Sequence, residues 1–241
     1  MSNPANLVRS HRNNEFQLDN PTFQQARQLQ YELREEVIIE PLTDEVHTVC
    51  GVDVSGVRHG AATAAAVVMR LPELTVAEFA TAQVELAFPY RSGLLSFREC
   101  PALLTVLERL SRRPDVVLVD GQGIAHPRRF GLACHLGVIL DIPAVGCAKS
   151  RLCGSYAEPL GERGCRSPLV DNGEVVGMVL RTRDNVKPLF VSPGHKVDLA
   201  DSVDLVLACG SGLRVPEPTR LAHIAAADPA EFATRCRLPG S

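Results

Sequence analysis

The feature that most restricts the fold is the run Val116-Val-Leu-Val119, followed at once by Asp120 and Gly121. Four apolar residues without polar alternation describe a strand covered on both faces, as in the centre of a sheet with helices above and below it. IPAVGCAK at 142–149 repeats the pattern, and a helix-like stretch from Phe130 to Leu140 separates the two. Strand, helix and strand in that order predict parallel pairing through a right-handed crossover.

Upstream, TVCGVDVSG (48–56), ATAAAVVMRLP (62–72) and TVAEFATAQVEL (75–86) are strand-like and separated only by the turn-forming RHG and PE, so they predict an antiparallel meander. EVVGMVLRTR and PLFVSPGH predict two further strands. A helix is expected to open at Asn20 and Pro21, with Phe23, Ala26, Leu29, Leu33 and Val37 on one face. Others are expected from about Pro101 to Leu110, from Asp198 through Leu207, and from Thr219 to about Ala227. The fold class that follows is α/β: a mixed central sheet, antiparallel meander plus parallel strands, flanked by helices.

The 241 residues, 45% of them apolar, suffice for one core. Residues 1–19 read as a flexible arm, 20–228 as a single domain and 229–241 as a tail. With a net charge of -3, no protein-wide positive field recruits polyanions, and any nucleic-acid contact has to come from a local patch. Eight cysteines without a C-x-x-C pair argue against zinc and for reduced thiols in a cytoplasmic protein. A signal peptide and a membrane span are not expected, because no apolar run reaches about 18 residues.

Three carboxylates stand out. Asp53 interrupts a strand of small and apolar residues, where a buried charge is costly unless paired; by itself it also fits a solvent-facing strand edge. Asp120 ends the central strand, where open α/β sheets gather ligands, although Asp-Gly is equally a turn pair. Glu99 follows Ser96 in a capping-box spacing, but a helix beginning before Pro101 would enclose a proline at a cost of about 3 kcal/mol, so the helix is expected to start near Pro101 and leave Glu99 free ahead of it. If the three acids converge, a divalent cation relieves their repulsion, and an all-oxygen ligand set favours Mg²⁺ or Mn²⁺. Lys149 closes the next strand, where it either faces solvent or neutralises charge on a phosphate. His126, Arg128 and Arg129, behind a Gly121-Gln122-Gly123 loop lacking the third glycine of a dinucleotide fingerprint, read as a phosphate-contacting set. His223 lies on a short helix, and Tyr90, between Pro89 and Arg91, is a candidate stacking or wedging aromatic.

These signals coincide with one family pattern. The chain resembles endonuclease V, the deoxyinosine-directed nuclease, from the helix at Pro21 to about Ile224. The motifs are GVDVSG (51–56), FPYRSGLLSFRE (88–99), PDVVLVDGQGIAHPRRFGLACHLG (114–137), IPAVGCAKSRLCG (142–154), PLFVSPGH (188–195) and VPEPTRLAHI (215–224). The resemblance implies a ribonuclease H-like fold and a Mg²⁺-dependent endonuclease, with Mn²⁺ as a substitute. It assigns Asp53, Glu99 and Asp120 to the metal and adds Lys149 and His223 to the active site. Gly93 and Leu95, with Gly121, Gln122 and Gly123, would enclose a flipped inosine base; hypoxanthine pairs weakly, so extruding it costs less than extruding a normal base. Hydrolysis of the second phosphodiester 3′ to inosine, leaving 3′-hydroxyl and 5′-phosphate ends, is the reaction implied.

One departure concerns the wedge, which usually reads Pro-Tyr-Ile-Pro in the family and reads Pro89-Tyr90-Arg91-Ser92 here. Weaker strand separation is expected, with Arg91 compensating through a phosphate contact. The first functional reading is repair of deaminated adenine in DNA by a monomer that hands its nick to other repair proteins. A second is an endoribonuclease acting on inosine in RNA. A third is a silent binder of inosine-containing nucleic acid, against which the three acids and Lys149 speak.

Overall fold

The computed structural model describes residues 21–58 and 60–236; the arm at 1–19, Asn20 and the last residues of the tail lie outside them. The first described helix, α1 (Phe23–Leu33), is capped by Thr22 rather than opened by Pro21. Gln25 closes a reciprocal capping box with it, satisfying two backbone donors.

Three strands follow, β1 (Thr48–Arg58), β2 (Ala61–Arg70) and β3 (Thr75–Glu85), paired antiparallel as the meander predicts. After helix α2 (Leu95–Leu107) comes β4 (Val116–Val119), which pairs parallel with β1. Helix α3 (Leu132–Leu140) then crosses to β5 (Ala144–Ala148), parallel to β4. The chain continues through β6 (Arg166–Asp171), β7 (Glu174–Leu180) and β8 (Leu189–His195), all antiparallel to their neighbours. The sheet has eight strands in the order β3-β2-β1-β4-β5-β8-β7-β6. Helices α4 (Leu199–Ala208), α5 (Glu217–Ala227) and α6 (Pro229–Arg235) complete the described chain.

The central run is covered on both faces, as its composition demands. Val117 and Val119 pack with Leu103, Leu107 and Leu136 of α2 and α3, while Val116 and Leu118 pack with Val203 and Val206 of α4. Helix α1 buries Ala26, Leu29 and Leu33 against Phe88, Leu94 and Phe97. Ala222, Ala225 and Ala226 of α5 lie on Ala65, Val67 and Met69 of β2. Phe232 of α6, in the stretch read as a tail, is buried in the same cluster and meets Phe79 edge-on. No helix among the described residues is long and apolar enough to cross a membrane.

Some boundaries differ from expectation. Helix α2 begins at Leu95, so Glu99 lies inside it and Pro101 is internal. Pro101 sits on the exposed side of the helix, whereas Phe97, Cys100, Leu103, Leu104 and Leu107 are buried. Burying one leucine side chain contributes roughly 1.5–3 kcal/mol, so this stripe outweighs the cost of about 3 kcal/mol for the proline. Helix α3 starts at Leu132 and not at Phe130, and α5 starts at Glu217 with Pro218 in its first turn, ahead of Thr219. Strand β6 was not anticipated: RSPLVD is short, contains a proline and lies at the sheet edge, where a missing donor is tolerated.

Candidate active site

Parallel pairing sets the first two acids. Val52 of β1 is level with Val119 of β4, so Asp53 and Asp120, each one residue further on, stand side by side at the carboxyl end of the central strands. Lys149 follows the last residue of β5, the neighbour of β4. Its Nζ forms an ion pair with Asp120 Oδ2.

A close approach brings in the fourth group. A Cβ on Gly51 would lie 2.0 Å from the carbonyl carbon of Pro218 and 2.4 Å from the amide nitrogen of Thr219, so only glycine lets α5 rest directly on β1. One turn further along α5, His223 Nδ1 reaches Asp53 Oδ2 at 2.8 Å. An ionised carboxylate only accepts, so the proton of this bond is on Nδ1. The histidine is 56% exposed and its carboxylate partner 15%.

The electrostatics follow from this crowding. Burial raises the Asp53 pKa, and the His223 hydrogen bond opposes it. Burial, together with Asp53 and Asp120, pushes Glu99 up to about 8. A carboxyl so displaced marks a site short of positive charge. Chemically, the donor set is three carboxylates without sulfur, which suits a hard divalent cation. In the present arrangement Lys149 pairs with Asp120 and His223 hydrogen-bonds Asp53, and among the described residues no group of three or more His, Cys, Asp or Glu side chains forms a ready-made cage. Asp53, Glu99 and Asp120 are the residues that would hold the ion.

Beside the acids opens a cavity of about 220 Å³. Its walls include Gly93, Leu95, Gly121 and Gln122, with Asp120 and Lys149 at one side and Tyr90, 71% exposed, at the mouth. Two polar atoms on these walls, Ser96 Oγ and Gln122 Oε1, are buried and find no hydrogen-bond partner among the described residues. The Gln122 amide is oriented by its other end, which donates to the Ser150 carbonyl at 2.9 Å. Helix α2 starts on this wall without a side-chain cap, leaving amide donors of its first turn for a ligand. A cavity with unsatisfied donors and an acceptor beside a carboxylate cluster suits a polar ligand.

Not every expected residue belongs to it. Gly123 is off the wall: its N–H donates to Ser192 Oγ at 2.8 Å. His126 does line the cavity, and it, Arg128 and Arg129, expected to face phosphates, also bind protein groups. His126 is buried, its Nε2 donating to the Gly93 carbonyl at 3.0 Å while Nδ1 accepts from the Arg128 amide at 3.1 Å. Arg128 binds the Gly93 carbonyl and Gln30, and Arg129 is paired with Asp171 at 2.8 Å and Glu174 at 2.7 Å. Arg91, exposed on the cavity wall, lies over the Phe23 ring, 5.5 Å from its centroid.

Sequence reasoning passed over Ser96, Gln30 and Arg214. The Arg214 guanidinium clasps the Lys149 carbonyl at 2.7 Å and the Pro188 carbonyl at 2.8 Å, fixing the strand end that carries the lysine. No local pattern marks an arginine in a loop for that contact. For Gln30 a signal exists: it falls four residues after Ala26 and three before Leu33, on the buried face of α1.

Residues 31–224 match the sequence profile of the Endonuclease V family. Endonuclease V of Methanothrix thermoacetophila is 55% identical over 183 residues, covering 75% of this chain and 80% of that protein. Among solved structures, endonuclease V from Streptomyces avermitilis superposes with a TM-score of 0.79 at 42% identity, covering 90% of this chain and 92% of that one. Ciona intestinalis endonuclease V, solved with a 24mer DNA containing an inosine followed by a ribo-adenosine, gives a TM-score of 0.72 at 30% identity, covering 84% of this chain and 95% of that one.

Proposed function

The chain belongs to the endonuclease V family, and from that premise we propose that it is a Mg²⁺-dependent nuclease that acts at deoxyinosine in DNA. The observation that carries this reading is the junction of the cavity with the acids: Asp120 and Lys149 belong to both, so a base seated in the cavity leaves its flanking backbone beside Asp53 and Glu99. Ser96 and Gln122 supply polar atoms on the cavity wall that are open to a ligand.

Hydrolysis joins a water oxygen to phosphorus and releases the 3′ oxygen of the preceding sugar, which takes up a proton. The products are 3′-hydroxyl and 5′-phosphate ends, with the cut at the second phosphodiester 3′ to inosine. Lys149 neutralises charge developing on the phosphate, where a preorganised cation is most effective. His223, held at Nδ1 by Asp53, keeps Nε2 for proton relay next to the acids. When bound by Asp53, Glu99 and Asp120, Mg²⁺ supplies Lewis acidity and lowers the pKa of water. The biological setting proposed is DNA repair by a cytoplasmic monomer.

A second reading, an endoribonuclease directed at inosine in RNA, draws on the ribo-adenosine that follows inosine in the Ciona complex. One experiment addresses both. End-labelled DNA and RNA oligonucleotides with a single inosine are incubated with and without Mg²⁺, and the cut is mapped. The proposal expects a Mg²⁺-dependent DNA cut one nucleotide beyond the inosine's own 3′ linkage. Cleavage of the RNA alone would move the assignment to the second reading, and no cut in either strand would remove both.

A further inference from the structure

Three donors converge on the carbonyl oxygen of Gly93: Gln30 Nε2 at 3.1 Å, His126 Nε2 at 3.0 Å and Arg128 Nη2 at 2.5 Å. A carbonyl has two lone pairs, so this oxygen is fully committed and its peptide plane is fixed. Gly93 has φ +76, a left-handed conformation that side chains rarely adopt, and it stands on the cavity wall immediately before the uncapped start of α2. The orientation of that peptide therefore sets where the first amides of α2 point.

Of the three donors, Gln30 alone comes from helix α1, where it forms part of the cavity wall. It is 1% exposed, and every end of its amide is used: Nε2 also donates to the Phe130 carbonyl at 3.1 Å, and Oε1 accepts from Arg128 Nε at 2.6 Å. Helix α1 supports the same loop at two more points. Phe23 meets Phe88 edge-on at 5.6 Å, and Arg91 lies over Phe23. The helix thus braces the whole stretch from Phe88 to Gly93, with Tyr90 at its tip.

We propose that Gln30 is a positioning residue for base recognition: acting through the Gly93 carbonyl and Arg128, it holds the cavity rim in register with the acids. This rests on the inosine-directed reading above. Substrate should then bind less well, and be less well distinguished, when Gln30 is changed, while the chemical step on bound substrate stays intact because no acid, Lys149 or His223 touches Gln30.

The test uses the full chain with Gln30→Met, close in size but without polar atoms, and Gln30→Glu, which keeps an acceptor for Arg128 but sets a carboxylate against the Gly93 and Phe130 carbonyls. Cleavage of inosine- and guanine-containing oligonucleotides is measured at saturating and limiting substrate. Losing a buried hydrogen bond of this kind predicts KM for the inosine strand up by about tenfold, kcat within about twofold, and a smaller ratio of inosine to guanine cleavage. Thermal unfolding is followed in parallel; if Gln30→Met does not fold, Gln30→Glu supplies the measurement. A folded variant with unchanged KM and unchanged discrimination overturns the proposal and leaves the nuclease reading intact. Wild-type protein inert on inosine in both DNA and RNA overturns the nuclease reading, and this inference with it.

Discussion

His126 converts the architecture of the cavity rim into a dependence of stability on pH. Its ring is 3% exposed, Nε2 donates to a carbonyl, Nδ1 accepts an amide proton, and two arginines flank it. Protonation at Nδ1 would set two donors against each other in a buried site. Burial first, and Arg128 second, bring the imidazole pKa down to about 4 from 6.5. The unfolded chain takes up this proton near pH 6.5 and the folded chain near pH 4, so the stability is fully present above 6.5 and is lost as pH falls through that interval. At pH 5 an unfolded imidazole is almost wholly protonated and the folded one only about a tenth, which amounts to about 2 kcal/mol lost between pH 7 and pH 5. His126→Gln retains a donor and an acceptor but does not titrate. Urea unfolding of both proteins at pH 7 and pH 5 isolates the histidine: wild type should lose about 2 kcal/mol more than the variant over that step. Parallel losses in the two proteins would refute the reasoning.

The remaining expectations concern the site and its rim. Gly51→Ala forces α5 away from β1, and it should cost about 1–3 kcal/mol in unfolding free energy as overpacking does, while cleavage falls further because His223 leaves Asp53; full activity in a folded Gly51→Ala protein would refute the account of how the pair is assembled. Asp120→Ala should reduce the cleavage rate by at least about a hundredfold while gel-shift binding of an inosine duplex persists; equal loss of binding would place Asp120 in recognition instead. Arg91→Ile with Ser92→Pro removes the contact with Phe23, and the ratio of duplex to single-strand cleavage should rise as the loop regains a rigid, apolar tip; an unchanged ratio would count against any role of these two positions in strand separation.

The central strands were legible because a strand covered twice has to be apolar at every position, and Val116 to Val119 are. The meander was legible from its length and its turns. The start of α2 was misplaced because a rule about one residue, Pro101, was set against a stripe of five, and in the folded protein the stripe prevails. Asp53 and Asp120 could be flagged one at a time, but their adjacency depends on the register of β1 with β4. The contacts of His126, Arg128 and Arg129 with carbonyls and carboxylates of their own chain were not legible, because a basic cluster looks the same in sequence whatever it meets. Gln30 finds its partners 63 and 100 residues away, a distance at which no local pattern operates.

The seat that Gly51 provides for α5 also has a temporal side. Asp53 belongs to the first strand of the sheet, and its partner His223 to a helix near the far end of the chain. During synthesis the ribosome delivers Asp53, Glu99, Asp120 and Lys149 well before residues 217–227 emerge and settle against Gly51. A nascent chain therefore carries its acids without the histidine, and the Asp53–His223 pair forms only when α5 docks.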